Sequence, residues 1–193
     1  MIETFDGLAA RVLAAPARLG AVRLVCVDGP AGSGKTTFAG RLTDALGDAG
    51  LVHLEDLYAG WTLTGAAARL SAGVLRPLAQ GRAGSHARYD WAAGRFADES
   101  VAVPVPRVLV VEGCGSSPRA LDRWATLRVW VEAPAALRLS RGLARDGDDL
   151  AAHWHRWQGT EARHFAAEDT RGRADVRVDG AAAAPDDGFV VLE

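Results

Sequence analysis

One glycine-rich stretch of the chain carries the residue types that bind phosphate groups. Residues 29–36 read Gly-Pro-Ala-Gly-Ser-Gly-Lys-Thr, which matches the pattern G-x-x-x-x-G-K-[ST]. Closely spaced glycines let a backbone curl until several N–H groups point at one anion, and a helix that starts there adds the positive end of its dipole. Lys35 is the only lysine among the 22 Lys and Arg residues. Because ammonium and guanidinium groups differ in shape and hydration, its retention here indicates a specific task.

This stretch, a Walker A loop, predicts particular roles for its residues. We expect Lys35 to reach the β- and γ-phosphates of a nucleotide and the Thr36 hydroxyl to bind Mg²⁺. The Asn-Lys-x-Asp motif with which GTP-binding switch proteins read guanine is excluded, because the one lysine lies in the loop. The expected ligands are therefore ATP and Mg²⁺. The predicted nucleotide-binding residues are Gly29, Ala31, Gly32, Ser33, Gly34, Lys35, Thr36 and Thr37.

The loop lies between an apolar run and a helical pattern, and this alternation continues along the chain. Strands that alternate with helices indicate an α/β domain with a parallel sheet. We expect residues 1–193 to form one domain with the P-loop NTPase fold: a five-stranded, mainly parallel sheet with helices on both faces and a small lid. The predicted strands are 22–27, 51–54, 107–111, 127–131 and 176–178, and the predicted helices are 36–46, 63–75, 134–144 and 150–167.

Four other segments have weaker patterns. Residues 1–20 predict a helix interrupted near Pro16, and residues 189–192 predict an additional C-terminal strand. Residues 81–100 are polar, contain glycines and aromatic residues, and resemble a substrate-binding loop more than a regular element. Residues 181–185 are interpreted as a short linker.

The composition excludes several classes of protein. Of 193 residues, 49% are hydrophobic and 24% charged, which is typical of a soluble globular protein, and the net charge of −2 argues against nucleic-acid binding. No apolar run approaches the ~20 residues needed to cross a bilayer, so no membrane partner is expected. Two cysteines are too few for a disulfide framework. With acidic rather than basic residues near Met1, we expect a cytoplasmic protein that acts on a small molecule; a homo-oligomer is left open.

Acidic residues follow three of the predicted strands. Asp28 follows the first, Glu55 and Asp56 the second, and Glu112 the third. Because ligands of a parallel sheet meet the carboxyl ends of its strands, these acids are expected to face the phosphates. Glu112 ends an apolar strand and is predicted to hold Mg²⁺ together with Thr36. The alternative for each acid is a solvated loop position, and this alternative is stronger for Asp28 and Glu55.

A basic helix and a set of tryptophans complete the candidate residues. Arg138, Arg141 and Arg145 are spaced i, i+3, i+7, so they share one helix face. Arg141 and Arg145 are predicted to stabilise a transferring phosphoryl group, in a mobile lid at residues 141–150; a solvated basic face is the alternative. Trp61 and Trp91 are interpreted as stacking walls for the acceptor, whereas Trp154 and Trp157 are read as core residues.

In this order, the motifs resemble the uridine kinase branch of the P-loop kinases over residues 22–180. The resemblance implies that Asp56 takes the proton from a sugar 5′-hydroxyl and that Tyr89 lies against a nucleobase. Tyr58, Trp61, Tyr89 and Arg95 are the substrate contacts expected from it. The motifs that carry it are Asp28–Thr37, Asp56–Tyr58, Tyr89–Trp91, Glu112–Gly113, Arg138–Arg141, Arg145–Asp146 and Ala174–Val176.

The chain departs from that family at two places. Members specific for uridine or cytidine carry a histidine five residues after the position of Tyr89, where this chain has Gly94, and residues 147–149 replace further basic lid residues. Phosphoryl transfer is expected to tolerate both changes, but the identity of the acceptor is not fixed. The expected function is an ATP-dependent kinase that phosphorylates the 5′-hydroxyl of a nucleoside. The alternatives are a kinase of a vitamin, sugar or antibiotic hydroxyl, and an ATP-binding regulator that hydrolyses ATP slowly.

Overall fold

The apolar run before the glycine-rich loop forms the central strand of the sheet. In the computed structural model, which describes residues 1–193, strand β2 spans Arg23–Asp28 and is buried from Leu24 to Asp28. Leu24 and Cys26 pack into one hydrophobic cluster, while Val25 and Val27 pack into another on the opposite side. A strand that is apolar on both faces requires helices on both faces, which the structure provides.

The sheet has seven strands in the order β1-β9-β8-β7-β2-β6-β3. The strands β3, β6, β2, β7 and β8 are parallel neighbours, which confirms the predicted five-stranded parallel sheet. Two antiparallel strands extend it beyond β8, because β9 pairs with β8 and the first residues of the chain pair with β9. The strands are β1 Ile2–Thr4, β2 Arg23–Asp28, β3 Ala49–His53, β6 Val108–Glu112, β7 Ala125–Glu132, β8 Val176–Asp179 and β9 Gly188–Val191.

Helices cover both faces of the sheet. Helices α1 and α2 pack on one face, and the segment from α3 to α4 packs with α6 on the other. The predicted interrupted helix over residues 1–20 is wrong at its start, since the chain begins with β1 and the Thr4 hydroxyl then caps α1. No helix is both long and apolar enough to cross a membrane. The helices are α1 Phe5–Ala14, α2 Lys35–Leu46, α3 Ala66–Leu70, α4 Arg76–Ala79, α5 Ala135–Asp146 and α6 Ala151–Glu168, with a π-helical segment Ser71–Leu75 that joins α3 to α4.

The segment predicted as an irregular substrate loop is a β-hairpin. Strand β4 spans Gly84–Asp90 and pairs antiparallel with β5, Arg95–Val103, as a separate two-stranded sheet. Its side chains are mostly exposed, so the sequence lacks the apolar alternation that marks a half-buried strand. The prediction of a loop at residues 81–100 is therefore wrong in its structure, although the hairpin still carries the aromatic residues assigned to it.

Helices α5 and α6 pack against each other at a glycine. Gly142 of α5 is buried, and a Cβ atom at this position would lie 2.3 Å from Cζ2 of Trp154 in α6. Trp154 is itself fully buried. The absence of a side chain at position 142 therefore allows the indole ring to lie against the α5 backbone.

Replacing this glycine tests the packing of the two helices. We expect Gly142→Ala to destabilise the protein by about 1–3 kcal/mol, because the added methyl group overlaps the indole ring of Trp154 and outweighs the better helix propensity of alanine. The matched control is Gly159→Ala in α6, where an added Cβ meets no atom within 4 Å; it is expected to stabilise the protein by up to about 1 kcal/mol. Urea unfolding measures both. Equal stability of the two variants would contradict the observed packing.

Candidate active site

The glycine-rich loop joins β2 to α2 in a conformation that only glycine allows at key positions. Gly29 and Gly32 have φ angles of 144° and 77°. A Cβ atom would lie 2.1 Å from the Val131 carbonyl oxygen at Gly29, and 2.4 Å from the Arg138 carbonyl oxygen at Gly32. The loop is therefore pressed between β7 and α5, and any side chain at either glycine would displace it.

Polar groups of this loop are left free to bind an anion. Helix α2 starts at Lys35 with no side-chain cap, so the N–H groups of its first turn lack partners within the helix. The buried Ser33 hydroxyl has no hydrogen-bond partner in the protein. Lys35 Nζ donates to the Pro30 carbonyl at 2.9 Å, which leaves two of its three hydrogens for other acceptors. These groups fit the phosphates of a nucleotide, as the sequence predicts.

Asp28 supports the loop and does not face its anion site. The carboxylate is fully buried and accepts hydrogen bonds from the backbone N–H groups of Gly29 at 2.7 Å, Gly115 at 2.8 Å and Ser117 at 2.8 Å. Burial raises the pKa of Asp28 above its ordinary value, although these three N–H groups act in the opposite direction. This acid therefore joins the loop to the segment after β6 and has no oxygen free for a ligand.

Thr36 and Glu112, the two predicted magnesium ligands, lie together. The Thr36 hydroxyl donates to Glu112 Oε1 at 3.2 Å, and Glu112 is buried. Hydroxyl and carboxylate oxygens suit Mg²⁺. No group of three or more His, Cys, Asp or Glu side chains that could hold a metal exists in the protein, so Mg²⁺ here would need phosphate oxygens to complete its coordination.

His53 is a member of this site that the sequence analysis missed. Its Nδ1 lies 2.7 Å from Glu112 Oε1, and the hydrogen bond to this carboxylate raises the pKa of His53 above its ordinary value. His53 is the last residue of β3 and is the register partner of Glu112 in β6. Aligning the carboxyl ends of the predicted parallel strands could have paired these two residues.

The two neighbouring acids after β3 point in different directions. They lie in a short 3₁₀ turn, Leu54–Leu57, rather than on the strand. Glu55 is exposed and lines the main cavity, whereas Asp56 forms an ion pair with Arg88 of β4, with Oδ1 and Nε 3.1 Å apart. The ion pair joins the predicted catalytic carboxylate to the hairpin. Arg88 carries no sequence motif and was not predicted.

The main cavity has a volume of about 1200 Å³, and its lining includes Lys35, Thr36 and Glu112, with Arg141 and Arg145 from α5. Residues of α2 and of the segment after β8 also line it, including Arg41 and residues 182–184, which the sequence analysis treated as a linker. Five further lining residues form an aromatic cluster, which we define as Tyr58, Trp61, Trp91, Trp154 and Trp157. Because β2 lies between β8 and β3 in the sheet, the glycine-rich loop after β2 lies between the segment after β8 and the segment after β3, which carries Tyr58 and Trp61.

Trp61 is the centre of the aromatic cluster. Its ring centroid lies 5.9 Å from those of Trp91 and Trp157 and 6.2 Å from that of Trp154. Trp154 and Trp157 are buried, as expected for core residues, but they also line the cavity. Tyr58 is buried too, and its hydroxyl donates to the Cys114 carbonyl at 2.8 Å, so its ring rather than its hydroxyl faces a ligand.

The other two predicted acceptor contacts lie outside the cavity wall. The Tyr89 ring packs against Trp91 and Phe96, with centroids 5.3 Å and 5.2 Å apart. Arg95 is exposed at the start of β5 and pairs with Asp98 at 3.5 Å. Of the four predicted contacts, Tyr58 and Trp61 therefore line the cavity, whereas Tyr89 and Arg95 do not.

The three arginines of α5 share one face but have different partners. Arg138 pairs with the buried Glu161 of α6 at 2.8 Å and does not line the cavity. Arg141 Nη1 donates to the carbonyl of Gly32 at 3.3 Å and to that of Gly180 at 3.1 Å. Arg145 pairs with the adjacent Asp146 at 2.7 Å, near the end of α5. The predicted lid at 141–150 thus comprises the last turns of α5 and the 3₁₀ turn Asp148–Leu150.

The architecture has counterparts among solved structures. A structure described as a possible uridine kinase from Bacillus stearothermophilus matches with a TM-score of 0.65 and 19% sequence identity, over 90% of this chain and 96% of that chain. A protein assigned as a fructose transport system kinase from Silicibacter sp. TM1040 matches with a TM-score of 0.58 and 20% identity, over 86% and 95%. No protein-family model and no curated protein matches the chain. The resemblance predicted from the motifs is confirmed at the level of architecture: this chain shares the α/β fold of these two solved structures.

Proposed function

We propose that this protein is an ATP-dependent kinase that transfers the γ-phosphate of ATP to a hydroxyl group of a small molecule. The observation that carries the proposal is a single cavity whose lining combines Lys35, Thr36 and Glu112 with the segment after β8 and the aromatic cluster, in a sheet whose order places β2 between β8 and β3. A phosphoryl donor and an acceptor must meet at one point from two sides. A loop that binds phosphate between two such walls supports that arrangement.

The phosphate-binding groups have separate tasks in this proposal. The free N–H groups at the start of α2 and the Lys35 ammonium bind and orient the phosphates. Thr36 and Glu112 hold Mg²⁺, which neutralises charge on the transferring phosphate. Arg141 and Arg145 line the same part of the cavity, and their guanidinium groups stabilise the negative charge that spreads over the phosphoryl oxygens. Arg145 must share or leave its partner Asp146 to do so.

Asp56 is the proposed general base. Its carboxylate, held by Arg88, follows β3 at the edge of the sheet where the phosphate-binding loop also lies. Acceptance of the proton from the attacking hydroxyl requires the free oxygen of Asp56 to reach the acceptor, while Arg88 holds the other. The adjacent Glu55 is the competing candidate, because it lines the cavity.

A nucleoside is the acceptor that the aromatic cluster favours. Flat indole and phenol rings offer faces on which a nucleobase can stack, and Trp61 and Trp91 are the least buried tryptophans of the cluster. A non-nucleoside alcohol is the second candidate, favoured by Gly94. This glycine lies in the turn of the hairpin with φ 66°, so position 94 offers no side chain that could hydrogen-bond a base edge. The proposal includes a small-molecule acceptor and a cytoplasmic location for the protein.

An acceptor panel tests the proposed activity. With ATP and Mg²⁺, we expect ADP release to rise at least about tenfold when a nucleoside is added, since a bound acceptor hydroxyl replaces water as the nucleophile. Coupled assays with nucleosides and with non-nucleoside alcohols measure the rates. Stimulation by non-nucleoside alcohols alone would select the second candidate. Slow release that no acceptor changes would contradict a kinase and favour an ATP-binding regulator.

Substitution of Asp56 tests the proposed base. We expect Asp56→Asn to lower kcat by about 10²–10⁴-fold, because the amide cannot accept the proton, while ATP affinity stays within about threefold. Steady-state kinetics and calorimetry with ATP and Mg²⁺ measure the two effects. A loss confined to Glu55→Gln would move the role to the neighbouring carboxylate.

Two further variants separate proton transfer from the loss of an ion pair. Arg88→Gln breaks the pair with Asp56 but keeps the carboxylate, so we expect a smaller fall in kcat, about tenfold. As a control, Asp98→Asn removes the exposed Asp98–Arg95 ion pair within the hairpin and should leave kcat unchanged. An equal loss in Asp56→Asn and Arg88→Gln would indicate that the pair matters for structure and not for proton transfer.

A further inference from the structure

Both backbone polar groups of Ala31, within the phosphate-binding loop, are bound by one pair of side chains from outside the loop. The Ala31 N–H donates to Glu161 Oε2 at 2.8 Å, and the Ala31 carbonyl accepts from Arg138 Nη1 at 3.2 Å. Arg138 Nη1 also donates to Glu161 Oε1 at 2.8 Å. The loop residue, the arginine of α5 and the glutamate of α6 thus form a closed ring of hydrogen bonds.

The Arg138–Glu161 ion pair is buried, and a gain in packing does not explain why two charged side chains occupy this position. The Glu161 side chain is 2% exposed and that of Arg138 is 12% exposed. Removing two charges from water costs about as much as their attraction returns, and apolar side chains of similar size would fill the same space as well. A carboxylate beside a site for anions is also electrostatically unfavourable unless a cation neutralises it. The pair must therefore serve the loop that it binds.

Arg138 has two of its three nitrogens engaged in this arrangement and does not line the cavity. Its Nε donates to the Ala133 carbonyl at 3.1 Å, in addition to the bonds of Nη1. Its own carbonyl oxygen is the atom that a Cβ at Gly32 would overlap, so α5 lies directly on the loop. Arg141 and Arg145, one and two turns further along, line the cavity, and Arg138 does not.

We propose that the Arg138–Glu161 pair positions the phosphate-binding loop. The pair fixes the plane of the Ala31 peptide groups and so directs the N–H groups of the residues that follow, and it attaches the loop to α5 and α6, the helices on either side of the lid. Arg138 also neutralises Glu161, which would otherwise repel phosphates. Both are positioning residues, not catalytic ones. The effect on ATP affinity rests on the proposed function, whereas the effect on the loop does not.

The first experiment measures the loop without any nucleotide. Amide hydrogen exchange is followed by NMR in the ¹⁵N-labelled protein. We expect Glu161→Ala to speed exchange at least tenfold at Ala31 and Ser33, the two amides of residues 31–34 that donate hydrogen bonds, with little change in β2 or β6. Glu161→Gln keeps an oxygen for the Ala31 N–H and should change these rates by less than threefold. Glu168→Gln is the matched control, since this carboxylate of α6 accepts from the Arg119 N–H at 2.7 Å and does not touch the loop.

The second experiment measures ATP affinity by calorimetry in the presence of Mg²⁺. Arg138→Met leaves the Glu161 charge unpaired beside the phosphates, so we expect binding at least tenfold weaker than in the wild type. The double variant Arg138→Met/Glu161→Gln removes that charge and should recover at least threefold of the loss, since neither partner is then left alone. The thermal midpoint should follow the same order, with the double variant above Arg138→Met.

The outcomes separate the two proposals. Unchanged exchange at Ala31 and Ser33 in Glu161→Ala, or equal effects of Glu161→Ala and Glu161→Gln, would overturn the positioning role whatever the affinity for ATP. An additive double variant would overturn the charge argument. A wild-type protein that binds no ATP would refute the proposed function, while faster loop exchange in Glu161→Ala would still support the pair as the device that holds the loop. If Glu161→Ala does not fold, the affinities of Arg138→Met and of the double variant decide.

Discussion

An anion site made of backbone N–H groups requires a loop that keeps those groups unpaired and aimed at one point, and most of this structure supports that loop. A free glycine-rich segment would rearrange to satisfy its own hydrogen bonds. Here Asp28 joins the loop, through the Gly29 N–H, to the segment after β6, through the N–H groups of Gly115 and Ser117. Strand β7 and helix α5 lie so close to Gly29 and Gly32 that no Cβ fits. The Arg138–Glu161 pair holds it from the side. Buried polar contacts thus offset the free-energy cost of keeping the N–H groups of the loop unpaired.

The parallel part of the fold could be predicted because its information is local. The strands at residues 23–28 and 108–112 are continuous apolar runs, and the helix after the loop begins at a motif with one structural context. The hairpin at residues 84–103 and the first strand were missed for a different reason. Exposed or edge strands bury little apolar surface. The hairpin therefore lacks an apolar alternation, and the first strand is held by pairing with a partner distant in sequence, as between Ile2 and Val190. No local pattern records such a pairing.

The same distinction, between local patterns and long-range contacts, separates the site residues that could be predicted from those that could not. Thr36 and Glu112 were predicted as partners because each ends or begins an element whose place in a parallel sheet is known, and their oxygens meet. The site contacts of His53, Arg88 and Glu161 are with residues distant in sequence. From their residue types alone, these side chains would be expected on the solvated surface. Arg95 shows the converse error, since a resemblance assigned it to the acceptor while the hairpin directs it to Asp98. Spacing predicts which residues share an element, but not which elements face each other.

The acceptor end of the cavity differs physically from the phosphate end. The phosphate end is backbone, fixed by glycines and the sheet, and changes little without loss of the fold. The proposed acceptor end is made of side chains from the hairpin, the 3₁₀ turn with the segment after it, and α6. These elements meet through contacts that include those of Trp61 with Trp91 and Trp154, and the Asp56–Arg88 ion pair. Substitutions there, such as Gly94 in the hairpin turn, alter the walls without disturbing β2 or α2. A likeness of fold at 19–20% identity therefore extends to the sheet and the backbone of the loop, and not to the side chains at the other end of the cavity. Under the proposed function, the residues that choose the acceptor are those least constrained by the architecture, because the sheet does not depend on them.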